Sequence, residues 1–419
     1  MINSLSYINP LDSINRTRHY LILFILWPFV AFACALTDYN HKEARRVVYF
    51  FLVYYGLSFV IIGTGVDAYR SMLRLQEYSQ LPFREFLESF NNIYSSNETM
   101  DFYEMFISFV VSRVSTKHNL LFGAYAAVFG FFYLKSVELL FDRFKERPGI
   151  NAFVLMLFFA MIIPITTING VRFYTAVWIF FYGAIHVICY RNPKYLLLVM
   201  SSVLVHWSFL SASAILMAYY FIGNKNYIYL PLVIASFILP QLISPYIQVL
   251  SLRFGGGLQS RVEMYTNEYV LEATQQEVQQ LAWFMQIGYD LVYYYLLIAL
   301  AVVSIFYRKL IDRVMEKSIL SFSLLFLAFV NFGKSIPSFG NRFQSLFFMF
   351  ATYFVFLVLQ KLQSQKMNIL VWLGLFPMLL YTAIVLRQGS ESINAWMFMP
   401  CIGLPFILPS LSLAEILFY

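Results

Sequence analysis

The sequence predicts an all-α, polytopic integral membrane protein with about 11–13 transmembrane helices. It is read as a single membrane domain over residues 1–419. Composition comes first: the chain is 60% hydrophobic and only 12% charged, with a mean hydropathy of +0.67. The second observation is pattern. The apolar residues come in long unbroken runs, not in the short alternating segments of a β-barrel. Only helices and closed barrels satisfy every backbone N–H and C=O in lipid, so such runs are helices. No polar stretch between them is long enough for a soluble domain.

The runs lie near 20–36, 46–63, 118–137, 151–168, 172–190, 227–249, 283–307, 318–333, 342–360, 367–386 and 396–418. The first twenty residues are polar, with Asp12, Arg16 and Arg18, so the first run reads as a span and not as a cleavable leader. The stretch 195–222 is too long for one span and too short for two, at roughly 20 residues each. His206-Trp207-Ser208 lies at its middle.

Charge decides how that stretch folds. If it is a broken pair turning at His206, one side collects Lys42/Arg45/Arg46, Arg143/Lys145/Arg147, Arg191/Lys194, Lys225, Arg308/Lys309/Arg313/Lys317 and Lys361/Lys366. That side is the cytoplasm by the positive-inside rule. If it is one span, the basic loop 308–317 is thrown outside. The broken pair is the better reading, and broken helices at membrane depth line cavities.

The outside then holds an outer loop with an interfacial helix at 64–117 and a second with an amphipathic helix at 250–282, behind Gly255-Gly256-Gly257. Short turns complete it at 169–172, 334–341 and 387–395. The basic residues here are nearly all arginine: Arg70, Arg74, Arg84, Arg113, Arg172, Arg253, Arg261, Arg342 and Arg387. Lysine suffices to retain a loop. Arginine offers a fixed fork of donors for phosphate and carboxylate, so this face suits an anionic ligand. Arginine also anchors helices at interfaces, which is the plainer explanation of any one of them.

Six constellations stand out against the apolar background. Gly63-Thr64-Gly65 allows a tight exit turn that sets Asp67 and Arg70 at the interface, as a base and an anion guide or as a helix cap and anchor. Glu104 lies among Phe102, Tyr103, Met105 and Phe106, neighbours expected to raise its pKa for acid–base work; a helix N-terminal acid is the alternative. Asn169 and Arg172 join two spans with almost no loop, so Arg172 must find a partner, a wet cavity or the interface. His206 with Ser208 sits in the broken pair, suited to bind phosphate or move a proton, or satisfied structurally. Arg261 and Tyr265 share a helical face, either functional or merely solvated. Arg342 opens a late span, close to Lys334.

Other chemistries have no motif here. There is no P-loop, GxSxG or HExxH, so no metal and no cofactor is called for. Cys34, Cys189 and Cys401 lie in apolar runs without ligand spacing and read as small buried hydrophobes. The net charge of +7 is spread singly over short loops and asks for no nucleic acid.

In this order, Gly65/Asp67, Glu104, Asn169/Arg172, His206/Ser208, Arg261/Tyr265 and Arg342 resemble the motifs of the EpsG-like branch of Wzy-type polysaccharide polymerases. The family's Gly-Thr-Asp and Phe-His forms stand here as Gly-Val-Asp and Val-His, and Tyr69 follows Asp67 at two residues instead of three. The resemblance implies a GT-C-like membrane glycosyltransferase working at the periplasmic face of the bacterial inner membrane. It would move a growing glycan from one polyprenyl diphosphate to the next lipid-linked repeat unit. Asp67, Glu104 and His206 would be catalytic; Arg70, Asn169, Arg172, Ser208, Arg261, Tyr265 and Arg342 would hold substrate. The implied partners are polyprenyl-diphosphate-linked oligosaccharide, membrane lipid and a chain-length regulator protein. Two rivals remain: a lipid-linked oligosaccharide flippase, which would show symmetric halves and charge at the bilayer midplane, and an O-antigen ligase-type transferase.

Overall fold

The computed structural model describes residues 10–92, 101–144, 149–239, 282–306, 314–334, 337–361 and 365–418. The expected amphipathic helix at 250–282, with Arg261 and Tyr265, lies outside these residues. Within them the regular structure is helical, apart from one isolated antiparallel bridge between Asn394 and Ser412. Six helical stretches are long and apolar enough to cross a membrane. The protein is thus an all-α polytopic membrane protein.

The first run is split by Pro28, which lacks an N–H and starts a new helix, giving α1 (Pro10–Leu26) and α2 (Pro28–Thr37). α3 (Lys42–Leu57) is followed by an extended exit. The segment 64–117 folds into α4 (Asp67–Gln80), α5 (Phe83–Asn92) and α6 (Phe102–Ser112). On α5, Phe86 packs against Phe109 at 3.7 Å between ring centres, while Phe83 and Leu87 stay exposed. The exposed Phe83 and Leu87 stand beside the Arg84–Glu88 ion pair on the outer surface of this helix.

α7 (His118–Phe141) runs back against α3. Their seam is made by small residues, since lipid supplies no hydrophobic drive between helices and close packing must do the work. A Cβ on Gly56 would collide with the Phe122 carbonyl, and one on Gly123 with Leu57.

α8 (Ile150–Ile162) and α9 (Val171–Tyr190) form a hairpin reversed by Pro164 and a 3₁₀ turn at Ile165–Gly170. The reversal is shown by Phe159, whose ring meets both Trp178 and Phe181. α10 (Tyr195–Val205) returns along α9, with Tyr195 stacked on His186 and His206 reaching Phe173. α11 (Phe209–Ile222) then runs back, because Phe209 also meets Phe173 while Tyr219 bonds to Ser318 at the far end of the bundle. The stretch 195–222 is therefore a re-entrant hairpin turning at His206–Ser208, as the loop charges required. α12 (Asn226–Ile238) follows.

α13 (Trp283–Phe306), α14 (Val314–Gly333) and α15 (Pro337–Lys361) cross the bundle in alternation. The run 367–386 breaks at Gly374, which accommodates the Tyr295 ring, into α16 (Gln365–Leu373) and α17 (Leu375–Gly389).

One expected span is overturned. Residues 396–418 do not cross the membrane as a helix; they form a turn at Ala395–Phe398 and the short α18 (Leu404–Ile407) and α19 (Leu413–Phe418). Pro400, Pro405 and Pro409 recur too often for an unbroken i→i−4 ladder. This strap instead packs over the exits of α1 and α3: Trp27 donates to the Phe398 carbonyl and the Tyr54 hydroxyl to that of Ile402.

Candidate active site

The chain reversals bring one set of helix ends together. The starts of α4, α9, α13 and α15 meet the ends of α14 and α17 and the His206 turn around a cavity of about 1050 Å³. The basic residues Arg45, Arg143, Arg191 and Lys361 lie at the opposite helix ends, at or near Glu138, Asp142, Tyr190, Ser318 and Glu316.

Of the residues singled out from the sequence, Asp67, Asn169, Arg172, His206 and Arg342 line this cavity. They come from positions spread over much of the chain, and only the fold makes them neighbours. Asp67 sits in the first turn of α4, its carboxylate 3.3 Å from Arg70 and 40% exposed. Arg70 does not line the cavity; it turns outward and bonds to the Gly65 carbonyl. Asn169 holds the start of α4 in place: its Oδ1 accepts the Ala68 N–H at 3.0 Å, one of the orphan donors of a helix N-terminus.

Arg172 is the hub of an ion-pair network. Its Nη1 is 3.0 Å from Asp101 Oδ2 and its Nε 3.2 Å from Glu104 Oε2. Glu104 also accepts from Arg74 and from Ser71 Oγ, both at 2.7 Å. The Glu104 side chain is only 3% exposed and does not line the cavity. Its apolar sequence neighbours Phe102 and Phe106 face away, stacked on each other and exposed, because adjacent helical positions point in different directions. Glu104 thus meets charges instead of the apolar shell that its sequence neighbours suggested.

Asp101 has a second task. Its Oδ1 accepts the backbone N–H of Trp207 at 3.0 Å, so one carboxylate ties Arg172 to the re-entrant turn. In that turn His206 Nδ1 accepts the Ser208 N–H at 3.2 Å, with Ser208 Oγ 2.9 Å away. An acceptor role for Nδ1 leaves the ring proton on Nε2, which makes the imidazole a donor. Ser208 does not line the cavity and acts on it through His206.

Arg342 is arranged differently. It is exposed, its guanidinium carbon lies 5.8 Å from the Phe173 ring centre, and no ion pair to it occurs among the described residues. Lys334 Nζ sits 3.7 Å from the Tyr293 ring centre. Burial draws this ammonium below the ordinary lysine value, and the charge of Asp290 works against that shift.

The sequence reading passed over Asp290, Gln286, Gln344 and Gln388, all of which line the cavity. Asp290 had a signal: it is the one charged residue in the apolar run 283–307. A carboxylate within a span costs about 2.5–3.5 kcal/mol at helix centre, so it persists where it opens onto a cavity or a partner. The glutamines had none, being ordinary residues at helix ends. The floor of the cavity is apolar and tyrosine-rich: the Tyr381 hydroxyl donates to the Ile162 carbonyl at 2.9 Å, and Tyr289 packs edge-on against Tyr381. No group of three or more His, Cys, Asp or Glu side chains placed to hold a metal occurs among the described residues.

The chain belongs to the EpsG family, whose model matches residues 44–401, most of its length and the whole cavity lining. This is a family of EpsG-like polysaccharide polymerases. No curated protein and no solved structure matches the chain.

Proposed function

From membership of the EpsG family, we propose that this chain is a GT-C-like polymerase of lipid-linked glycans, in the manner of Wzy-type enzymes. It joins polyprenyl-diphosphate-linked oligosaccharide repeat units at the outer face of the bacterial inner membrane. The observation that carries the reading is the cavity itself, in which a carboxylate, Asp67, shares one space with Arg172, Arg342 and His206. Its sidedness follows from charge. The loops bearing Lys42, Arg45, Arg46, Arg191, Lys194 and Lys225 join the helix ends away from the cavity, and basic loops stay in the cytoplasm.

The reaction has two demands that these residues meet. The acceptor is a hydroxyl at the non-reducing end of a lipid-linked repeat unit, and Asp67 takes its proton. That oxygen forms a bond to the anomeric carbon of the growing chain as the bond from that carbon to diphosphate breaks. Polyprenyl diphosphate leaves with the bonding pair. Arg342 and Arg172 stabilise the charge that grows on it, and His206 donates from Nε2 to a phosphate oxygen. Glu104 acts at one remove by orienting Arg172. Asn169 positions α4, and Ser208 positions His206.

The test uses purified protein in nanodiscs with the host's polyprenyl-diphosphate-linked repeat unit and no added nucleotide. A ladder of products with release of polyprenyl diphosphate is expected. Asp67→Asn should slow it about 10²- to 10⁴-fold with the fold intact. Movement of the lipid-linked unit across a liposome bilayer without any ladder would replace the polymerase by a flippase.

A further inference from the structure

The proposed chemistry uses one side of the cavity and leaves the other unexplained. That other side is built from α13, the end of α14, α15 and α17, and its polar groups differ in kind. Gln286, Tyr289 and Asp290 stand at i, i+3 and i+4 on one face of α13. Gln344 of α15 and Gln388 of α17 join them in the lining. The Tyr289 hydroxyl donates to Gln388 Oε1 at 3.4 Å, which leaves the amide N–H groups of Gln388 as donors. Asp290 forms no ion pair among the described residues.

Amides, a carboxylate and tyrosine faces make a poor phosphate site. The carboxylate repels the diphosphate, and of the two cations on these helices Arg342 reaches across to the Phe173 ring of α9 while Lys334 lies over the Tyr293 ring. They make a good site for a sugar ring. Hydroxyls donate to a carboxylate in charge-assisted hydrogen bonds, amides both give and take, and the aromatic face covers the ring's C–H surface. The cavity is therefore polarised, with guanidinium groups towards Arg172 and Arg342 and acceptors towards Asp290.

We propose that this wall is the carbohydrate subsite and that Asp290 is a specificity-determining residue. It accepts hydrogen bonds from a neutral, polyhydroxylated sugar of the repeat unit and turns away acidic sugars and phosphate. Lys334, held over the Tyr293 ring, balances the Asp290 charge from the side. The proposal rests on the polymerase reading for the identity of the glycan.

Two probes separate the walls in nanodisc-embedded protein: the repeat-unit oligosaccharide freed of lipid and diphosphate by mild acid, and farnesyl diphosphate. Asp290→Ala should weaken oligosaccharide binding about 10- to 100-fold and leave farnesyl diphosphate binding within about twofold. Asp290→Asn, which keeps the shape, should lose about tenfold on the oligosaccharide and admit acidic sugars better. Arg342→Ala should do the reverse, weakening farnesyl diphosphate alone. An Asp290→Asn protein that melts like wild type and binds both probes like wild type, or loses both equally, overturns the subsite. The polymerase reading fails separately. A wild-type protein that makes no ladder but binds oligosaccharide through Asp290 keeps the subsite and loses the polymerase. A wild-type ladder with an unchanged KM for the repeat unit in Asp290→Asn does the opposite.

Discussion

The two walls of the cavity hold their charges in opposite ways. On the wall of α4, α6, α9 and the His206 turn, each buried charge has an opposite partner. Arg172 lies between Asp101 and Glu104, and Glu104 between Arg172 and Arg74. On the wall of α13, α14 and α15, Arg342 and Lys334 rest on aromatic rings, and Asp290 has no ion pair among the described residues. A closed lattice fixes geometry but spends its charge inside the protein. Charges resting on rings can meet a ligand without first breaking a salt bridge. The comparison teaches that arginines of one cavity are not equivalent: Arg172 is a structural hub that also faces the site, whereas Arg342 is the more available cation.

That contrast is open to direct attack. The largest effect is expected for Glu104→Ala, which strands Arg74 and leaves Arg172 with Asp101 alone. Removing one member of a buried pair costs about 3–5 kcal/mol, so the protein should melt well below wild type in detergent. An unchanged melting curve would break the idea of a closed lattice. Next comes Arg342→Ala, expected to slow polymerisation about 10²- to 10³-fold with little change in melting. If it unfolds as readily as the Glu104 variant, the walls are alike. The smallest effect is expected for Asn169→Ala, which removes an acceptor from the first turn of α4 at a cost of about 1 kcal/mol. Melting should fall slightly, and the rate should fall with it if Asp67 is positioned through that bond.

How much of this could be read from the chain depends on the type of signal. The re-entrant turn at His206 was legible because loop charge is bookkept along the sequence, and a wrong span count throws 308–317 to the wrong side. Arg172 was legible because a charge at a tight inter-span turn needs a partner. Its partners were not, since Asp101 and Glu104 reach it through tertiary packing of α6. Glu104 shows the limit most plainly. Its sequence neighbours are aromatic, but its spatial neighbours are Ser71, Arg74 and Arg172. The supposed span at 396–418 failed because hydropathy outweighed the proline spacing. Asp290 is alone in its run, but nothing in its sequence neighbourhood tells a cavity-facing carboxylate from one near a helix end.

The floor of the cavity bears on the shape of the polymer. Along α17 the lining descends from Gln388 to Tyr381, seven residues or about 10 Å, and ends where Tyr381 is bonded to Ile162. A recess lined in this way would receive a flexible chain tip-first. An interior unit would have to bring both of its flanking segments down the same hole. On the proposed polymerase reading, growth there is confined to termini, which favours a linear product over a branched one before any residue distinguishes one hydroxyl from another.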